Sequence, residues 1–259
     1  MMLAGIQAVL FDLDGTLLDR RLSFERFIRH QWTRLPLVRA SVGQAQYVQA
    51  VIEQDRDGYA PRRALFAGAL TQLGLPTTQS DTLLEDYRAG FPSGCLLFPD
   101  AAQTLTALRA AGFKLGVITN GSMRMQSAKL QCLALESAFD NILISEAEGV
   151  SKPDPRIFHR AVERLGTASE RALFVGDNPD VDVSGARSAG MKAVWRRDAV
   201  VSRPVGADAI IEELGSLLPL LGLEPSPSDA ATSQPRTHEG GSFSRSRRSA
   251  CCGTLSRTR

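Results

Sequence analysis

The chain has little cysteine: Cys95, Cys132, Cys251 and Cys252 are the only four in 259 residues. None forms a C-x-x-C pair or stands beside a histidine at metal-ligand spacing, which argues against a disulfide scaffold or a structural zinc site. Cys95 and Cys132 are expected to act as small, buried or half-buried apolar residues. An excess of either charge is also missing, since 30 Lys and Arg face 28 Asp and Glu, a formal net of +2. That balance argues against a dedicated nucleic-acid binder. No uncharged apolar run approaches the length of a membrane-spanning helix. The opening "MMLAGIQAVLF" is apolar, but it lacks a positive segment and a cleavage site, and Asp12 cuts it short, so no secretory leader is expected. These absences leave a soluble, reduced, cytoplasmic protein as the expectation.

What is present is enough apolar material for a sizeable core, 43% of residues. It comes in short runs that end in polar loops. "IQAVLF" runs into Asp12, "FKLGVI" into "TNG", "NILIS" into "EAEGVSKPDP", "ALFV" into "GDNPDVD", "KAVW" into "RRD", and "ADAII" into "EEL". Continuous Val, Ile and Leu runs of this length suit strands buried on both faces, as in a parallel sheet. Helical patterns separate them. In "DPRIFHRAVERLG", Asp154 is placed as N-cap, Pro155 as first helical residue and Gly166 just past the end. "DAAQTLTALRAAG" and "PDVDVSGARSAG" read the same way. Strands alternating with helices give an α/β fold: a Rossmann-like open parallel sheet flanked by helices.

Residues 18–94 depart from that alternation. "SFERFIRHQWTRL", "AQYVQAVIEQDRDG", "PRRALFAGALTQLG" and "SDTLLEDYRAGF" all have helical periodicity, and strand-like runs are missing. The expected organisation is a core of residues 1–17 and 95–223, an inserted helical cap of residues 18–94, and a tail of residues 224–259. The tail is rich in Ser, Pro, Thr and Arg; from Pro225 onward it carries a net +4, which leaves the rest of the chain near −2. With so few apolar residues it is expected to be disordered and dispensable for fold and catalysis.

In an open parallel sheet, ligands bind beyond the carboxyl ends of the strands. The polar strand endings would therefore bring together Asp12, Asp14, Thr119, Asn120, Lys152, Asp177 and Asp182: four acids, one amine and one hydroxyl among them. Like charges gathered in one place are costly without a cation or a reaction that needs them. Carboxylates suit a hard divalent ion such as Mg²⁺, and a hydroxyl, a lysine and loop N–H groups suit phosphoryl oxygens.

"DLDGTLLD", "VITNG", "VSKPDP" and "VGDNPDVD", in this order and each at an expected strand end, resemble the four motifs of the haloacid dehalogenase (HAD) superfamily. The likeness covers roughly Ile6 to Leu214 and points to the phosphatase branch with an α-helical cap between the first and second motifs. The resemblance implies a Mg²⁺-dependent phosphatase that hydrolyses a small phosphate monoester, such as a nucleotide or sugar phosphate, through an aspartyl-phosphate. Asp12 would be the nucleophile and Asp14 the general acid and base. Mg²⁺ would be held by Asp12, Asp177 and the backbone carbonyl of Asp14, with Asp182 supporting Asp177 and Lys152 from behind. Thr119 and the Asn120 N–H would bind phosphoryl oxygens, and Lys152 would neutralise charge on nucleophile and substrate.

Dehalogenases of the superfamily lack an acid at the second position, so Asp14 favours phosphate esters over carbon–halogen bonds. A phosphomutase, a 2-haloacid dehalogenase and a non-catalytic binding protein on the same fold stay open as alternatives. Arg20, Arg21, Arg62 and Arg63 could hold a second phosphate, but an exposed helix face is the simpler expectation. Asp19 is expected to be structural. The expected partner is a small phosphorylated metabolite, with no membrane and no nucleic acid, bound by a monomer or homodimer.

Overall fold

The computed structural model describes residues 2–58, 60–197 and 206–224. The expected tail, with Cys251, Cys252 and His238, lies outside them.

All six apolar runs form strands: β1 Ala8–Phe11, β2 Lys114–Thr119, β3 Asn141–Ile144, β4 Ala172–Gly176, β5 Lys192–Arg196 and β6 Ala209–Ile211. They pair in parallel in the order β3-β2-β1-β4-β5-β6. β1 is therefore central, flanked by β2 and β4 with Phe11 level with Val117 and Val175. Alternate β1 residues serve opposite faces. Ala8 and Leu10 pack with Ile157, Phe158, Phe174 and Ala186, whereas Val9 and Phe11 pack with Leu105, Leu108, Leu130 and Leu217.

Five helices lie between β1 and the rest of the sheet: α1 Arg20–Arg34, α2 Pro36–Ser41, α3 Gln44–Asp55, α4 Arg62–Gln72 and α5 Ser80–Gly90. Asp19 caps α1 by accepting a bond from Leu22 N at 2.9 Å. The helices bury Phe24, Ile28, Tyr47, Val51, Leu65, Phe66, Leu70 and Leu84 in a core continuous with one face of the sheet. Tyr47 and Trp32 belong to this packing. The Tyr47 hydroxyl donates to Gln31 Oε1 at 2.7 Å, and the Trp32 indole donates to the Val42 carbonyl at 3.0 Å. The chain leaves for these helices and returns at adjacent points: Asp19 N donates to Leu96 O and Phe98 N to Leu17 O, both at 2.9 Å.

The remaining helices are α6 Ala101–Ala110, α7 Met123–Cys132, α8 Ser145–Glu148, α9 Pro155–Arg164, α10 Ser184–Ser188 and α11 Leu217–Leu220. α9 has the expected Asp154 cap, with Arg156 N donating to Asp154 Oδ1 at 2.9 Å. The segment expected as one helix over 179–190 is instead a π-type turn, Pro179–Val183, leading into the short α10. The Asn178 carbonyl accepts from both Asp182 N and Val183 N, and the Asn178 side chain accepts from Asp180 N and Val181 N. These bonds widen the turn and swing Asp182 back toward the strand ends. π-turns inside helices often mark functional sites for this reason.

Candidate active site

Asp12 follows β1, and its backbone N–H donates to Val175 O at 2.9 Å, which fixes the strand end beside β4. Asp177 follows β4. Asp182 lies on the π-turn. Lys152 comes from the loop between β3 and α9, in which the Lys152–Pro153 peptide is cis. Its ammonium donates to Asp12 Oδ1 at 2.5 Å and to Asp182 Oδ1 at 2.7 Å, and all three side chains are buried. Ligand atoms of Asp12, Asp177 and Asp182 lie within 4.8 Å of one another.

Two glycines admit this crowding. A Cβ on Gly15, whose φ of 89° already favours glycine, would collide with the Asp177 carboxylate, and one on Gly176 would collide with the Asp182 side chain. β5 adds two backbone anchors. The Trp195 indole donates to Asp177 O at 2.9 Å, and Arg196 Nη1 donates to Gly15 O at 2.9 Å while its guanidinium lies 3.5 Å from the centre of the Phe98 ring.

The charges do not balance, because three carboxylates share one ammonium. Burial pushes the Asp12 carboxyl up to about 7; Lys152 opposes that rise and Asp182 adds to it. Burial, and then the charges of Asp12 and Asp182, raises Asp177 well above the usual carboxylate range. Burial alone would lower Lys152, but Asp12 and Asp182 outweigh it and hold the amine firmly protonated. Asp182 spends both oxygens, one on Lys152 and the other on Asn178 N at 3.0 Å. Asp12 spends one. The Asp177 carboxylate has no bond from another side chain among the described residues. The unspent oxygens and surplus negative charge fit a hard, oxygen-preferring cation.

Asp14 faces elsewhere. Lys129 Nζ grips both its oxygens, at 2.7 and 2.8 Å, and Gln126 Nε2 donates to Oδ2 at 2.9 Å. Burial acts to raise this carboxyl, but Lys129 and Gln126 outweigh it and hold it below the usual range. Gln126 Nε2 also donates to Thr119 Oγ1 at 2.5 Å. Thr119 is buried at the end of β2. The Asn120 side chain is committed to the lysine loop: Nδ2 donates to Lys152 O and Oδ1 accepts from Lys152 N, both at 2.9 Å. It thus fixes the peptide that presents Lys152.

Gln126 and Lys129 were not legible as site residues, and neither was the helix α7 that carries them. One signal was available. A parallel β2–β3 connection needs a crossover helix, and Gln126, Lys129 and Leu130 share one face of "SMRMQSAKLQC".

The expectation of an exposed arginine face is half corrected. Arg21 and Arg63 are exposed, and Arg63 pairs with Asp81. Arg20 and Arg62 turn inward and share the buried Asp55. Arg20 binds it through two bonds of 2.7 and 2.8 Å, and Arg62 also donates to Gly58 O at 3.1 Å. Both guanidiniums stack over Phe24, and Arg62 over Tyr87 as well. A single carboxylate draws both arginines toward the aromatic interior of the inserted helices.

The sequence model of the haloacid dehalogenase-like hydrolases matches residues 6–190. The chain belongs to that family. Among curated relatives it is similar to the glyceraldehyde 3-phosphate phosphatase of Pyrococcus abyssi, 32% identical over 73% of this chain and 81% of that one. It is also similar to the phosphoserine phosphatase of Thermus thermophilus, 39% identical over 52% of this chain; the match spans 53% of that enzyme's length. Among solved structures, the HAD-hydrolase YfnB of Bacillus subtilis shares the fold, with a TM-score of 0.68 at 24% identity over 84% of this chain and 99% of that one.

Proposed function

We propose that the chain is a Mg²⁺-dependent phosphatase that hydrolyses a small phosphorylated metabolite, such as a sugar or nucleotide monoester, through an aspartyl-phosphate on Asp12. The observation that carries this reading is the separation of two carboxylates only two residues apart. Asp12 lies with Asp177, Asp182 and Lys152, whereas Asp14 lies with Lys129 and Gln126. Two acids in different environments can take different parts in one reaction.

In the first half-reaction, Asp12 Oδ2 forms a bond to phosphorus as the ester P–O bond breaks. The departing oxygen takes its proton from the Asp14 carboxyl. In the second half, a water oxygen bonds to phosphorus and gives a proton to Asp14, and the Asp12–phosphorus bond breaks to release phosphate. The Lys152 ammonium offsets charge on Asp12 and on the phosphoryl oxygens. Thr119 and the Asn120 N–H bind those oxygens. Because the Thr119 oxygen accepts from Gln126, its hydroxyl proton is free to donate. Mg²⁺, held by Asp12, Asp177 and the Asp14 carbonyl with Asp182 behind them, would screen the phosphoryl charge. Residues 18–94 form the cap that covers the leaving group and selects it. The curated relatives support an enzyme acting on phosphate esters. An acid at position 14 speaks against carbon–halogen cleavage, and the commitment of Arg20 and Arg62 to Asp55 speaks against a second phosphate site of the mutase kind.

The test is hydrolysis of an aryl phosphate with Mg²⁺ by the wild type, the Asp12→Asn variant and an EDTA-treated sample. Loss of activity in both controls is expected. Hydrolysis that survives either one rules out the proposed chemistry.

A further inference from the structure

We infer that Lys129, backed by Gln126, is the positioning residue for Asp14, holding its carboxylate on the leaving-group side of the site and away from the metal-binding acids. The inference rests on the phosphatase reading above and adds to it residues outside the four motifs.

The geometry is that of a closed network. Lys129 has three N–H bonds to give, and all are used: two to Asp14, and one to Gln126 Oε1 at 2.8 Å. Gln126 in turn bridges Asp14 and Thr119. Lys129 is 5% exposed and Gln126 2%, so neither is a surface side chain resting on a nearby acid. The Lys129 ammonium also lies 5.6 Å from the centre of the Phe91 ring, at the foot of the cap. Among the described residues, neither side chain bonds to Asp12, Lys152, Asp177 or Asp182.

Stability alone does not account for such a group. A buried ion pair is often no better than apolar residues of the same volume, whereas a fully bonded network fixes a single arrangement. The problem it meets is specific to this loop. Asp14 lies two residues from Asp12 and beside a site that attracts carboxylates. An Asp14 free to rotate would compete for the cation and lose its line to the departing oxygen. The two-point grip of Lys129 removes that choice. Through Gln126 the same network sets the distance between the proton carrier and the hydroxyl that holds the phosphoryl group. Lys129 moves neither a proton nor an electron pair.

The experiment compares wild type, Lys129→Met, Lys129→Arg and Gln126→Leu as full-length proteins with Mg²⁺. It measures kcat/KM on 4-nitrophenyl phosphate and on the fastest of three alkyl esters: O-phosphoserine, glycerol 3-phosphate and ethyl phosphate. This constant reports only the steps up to departure of the alcohol. Nitrophenolate leaves without a proton, and an alkoxide does not. Lys129→Met is expected to lower the alkyl-to-aryl ratio of kcat/KM by at least ~100-fold, the lower end of the range for a lost general acid. Lys129→Arg should recover most of the ratio, and Gln126→Leu should lower it in the same direction by less. Equal losses on both ester classes, or no loss, would overturn the positioning role. If Lys129→Met melts below assay temperature, Gln126→Leu reads the same ratio with the ion pair retained. A wild type inactive on every ester brings down both proposals, whereas an active wild type with an unchanged ratio brings down this one alone.

Discussion

Asp12 and Asp177 are held where ionisation is unfavourable without a cation. Asp12 moves from 3.8 to about 7 on folding, and Asp177 rises as well. An acid whose pKa is raised by folding keeps its proton in the native state after the unfolded chain has lost it. The native state then binds more protons, and stability falls as pH climbs through that interval. Metal-free protein is therefore expected to melt at progressively lower temperature between pH 5 and pH 8. Added Mg²⁺ should raise the melting point more at pH 8 than at pH 5. Carboxyls held low, such as Asp14, Asp140 and Asp208, finish titrating below this window and do not interfere. A melting point that is flat or rises with pH in EDTA contradicts the raised pair. At this scale the acids were readable because each directly follows an apolar strand run or its glycine turn. Lys129 and Gln126 were not, since a lysine and a glutamine in a polar helix look solvated until tertiary packing buries them.

Two elements carry their own tests. In the π-turn, Asp182 packs directly over Gly176, and an added methyl must displace it. Gly176→Ala is expected to cut kcat by at least ~100-fold, on the scale of losing a positioned charge in the site, with a smaller loss of melting temperature. A variant with near-normal kcat would show that the turn can move without consequence. Among the inserted helices, Asp55 joins α1 and α4 through Arg20 and Arg62. Asp55→Ala leaves two largely enclosed guanidiniums without their shared carboxylate. Removing one member of a buried pair costs ~3–5 kcal/mol, and the partial exposure of both arginines places the expected loss near the lower end. Urea denaturation reads it directly, and a loss below ~1 kcal/mol would assign the cluster a marginal part in stability. The strands were legible because a parallel sheet buries both faces and leaves unbroken apolar runs. The π-turn was not, because its apolar spacing over 179–190 is that of a helix. What diverts it is the Asn178 side chain capping two N–H groups at once.

At the scale of the whole molecule, all six strands and all the assembled acids lie between Ala8 and Ile211 among the described residues. A chain ending at Glu224 is expected to keep the melting temperature and kcat of the full-length protein, and a fall in either would give residues 225–259 a part that their composition does not suggest. Among the described residues no helix is long and apolar enough to cross a membrane.

The chain leaves for the five inserted helices beside Leu17 and returns beside Leu96, where two backbone bonds of 2.9 Å tie the outgoing and incoming segments together. Topologically these helices are a branch grafted onto a sheet that has all six strands without them. Asp12 and Asp14 lie upstream of the graft, and Thr119, Lys152, Asp177 and Asp182 lie downstream. Under the proposed chemistry, exchanging everything between the two tied segments is expected to leave every group of the site in place and to alter what is admitted to it, so this neck would separate the chemistry performed from the choice of molecule it is performed on.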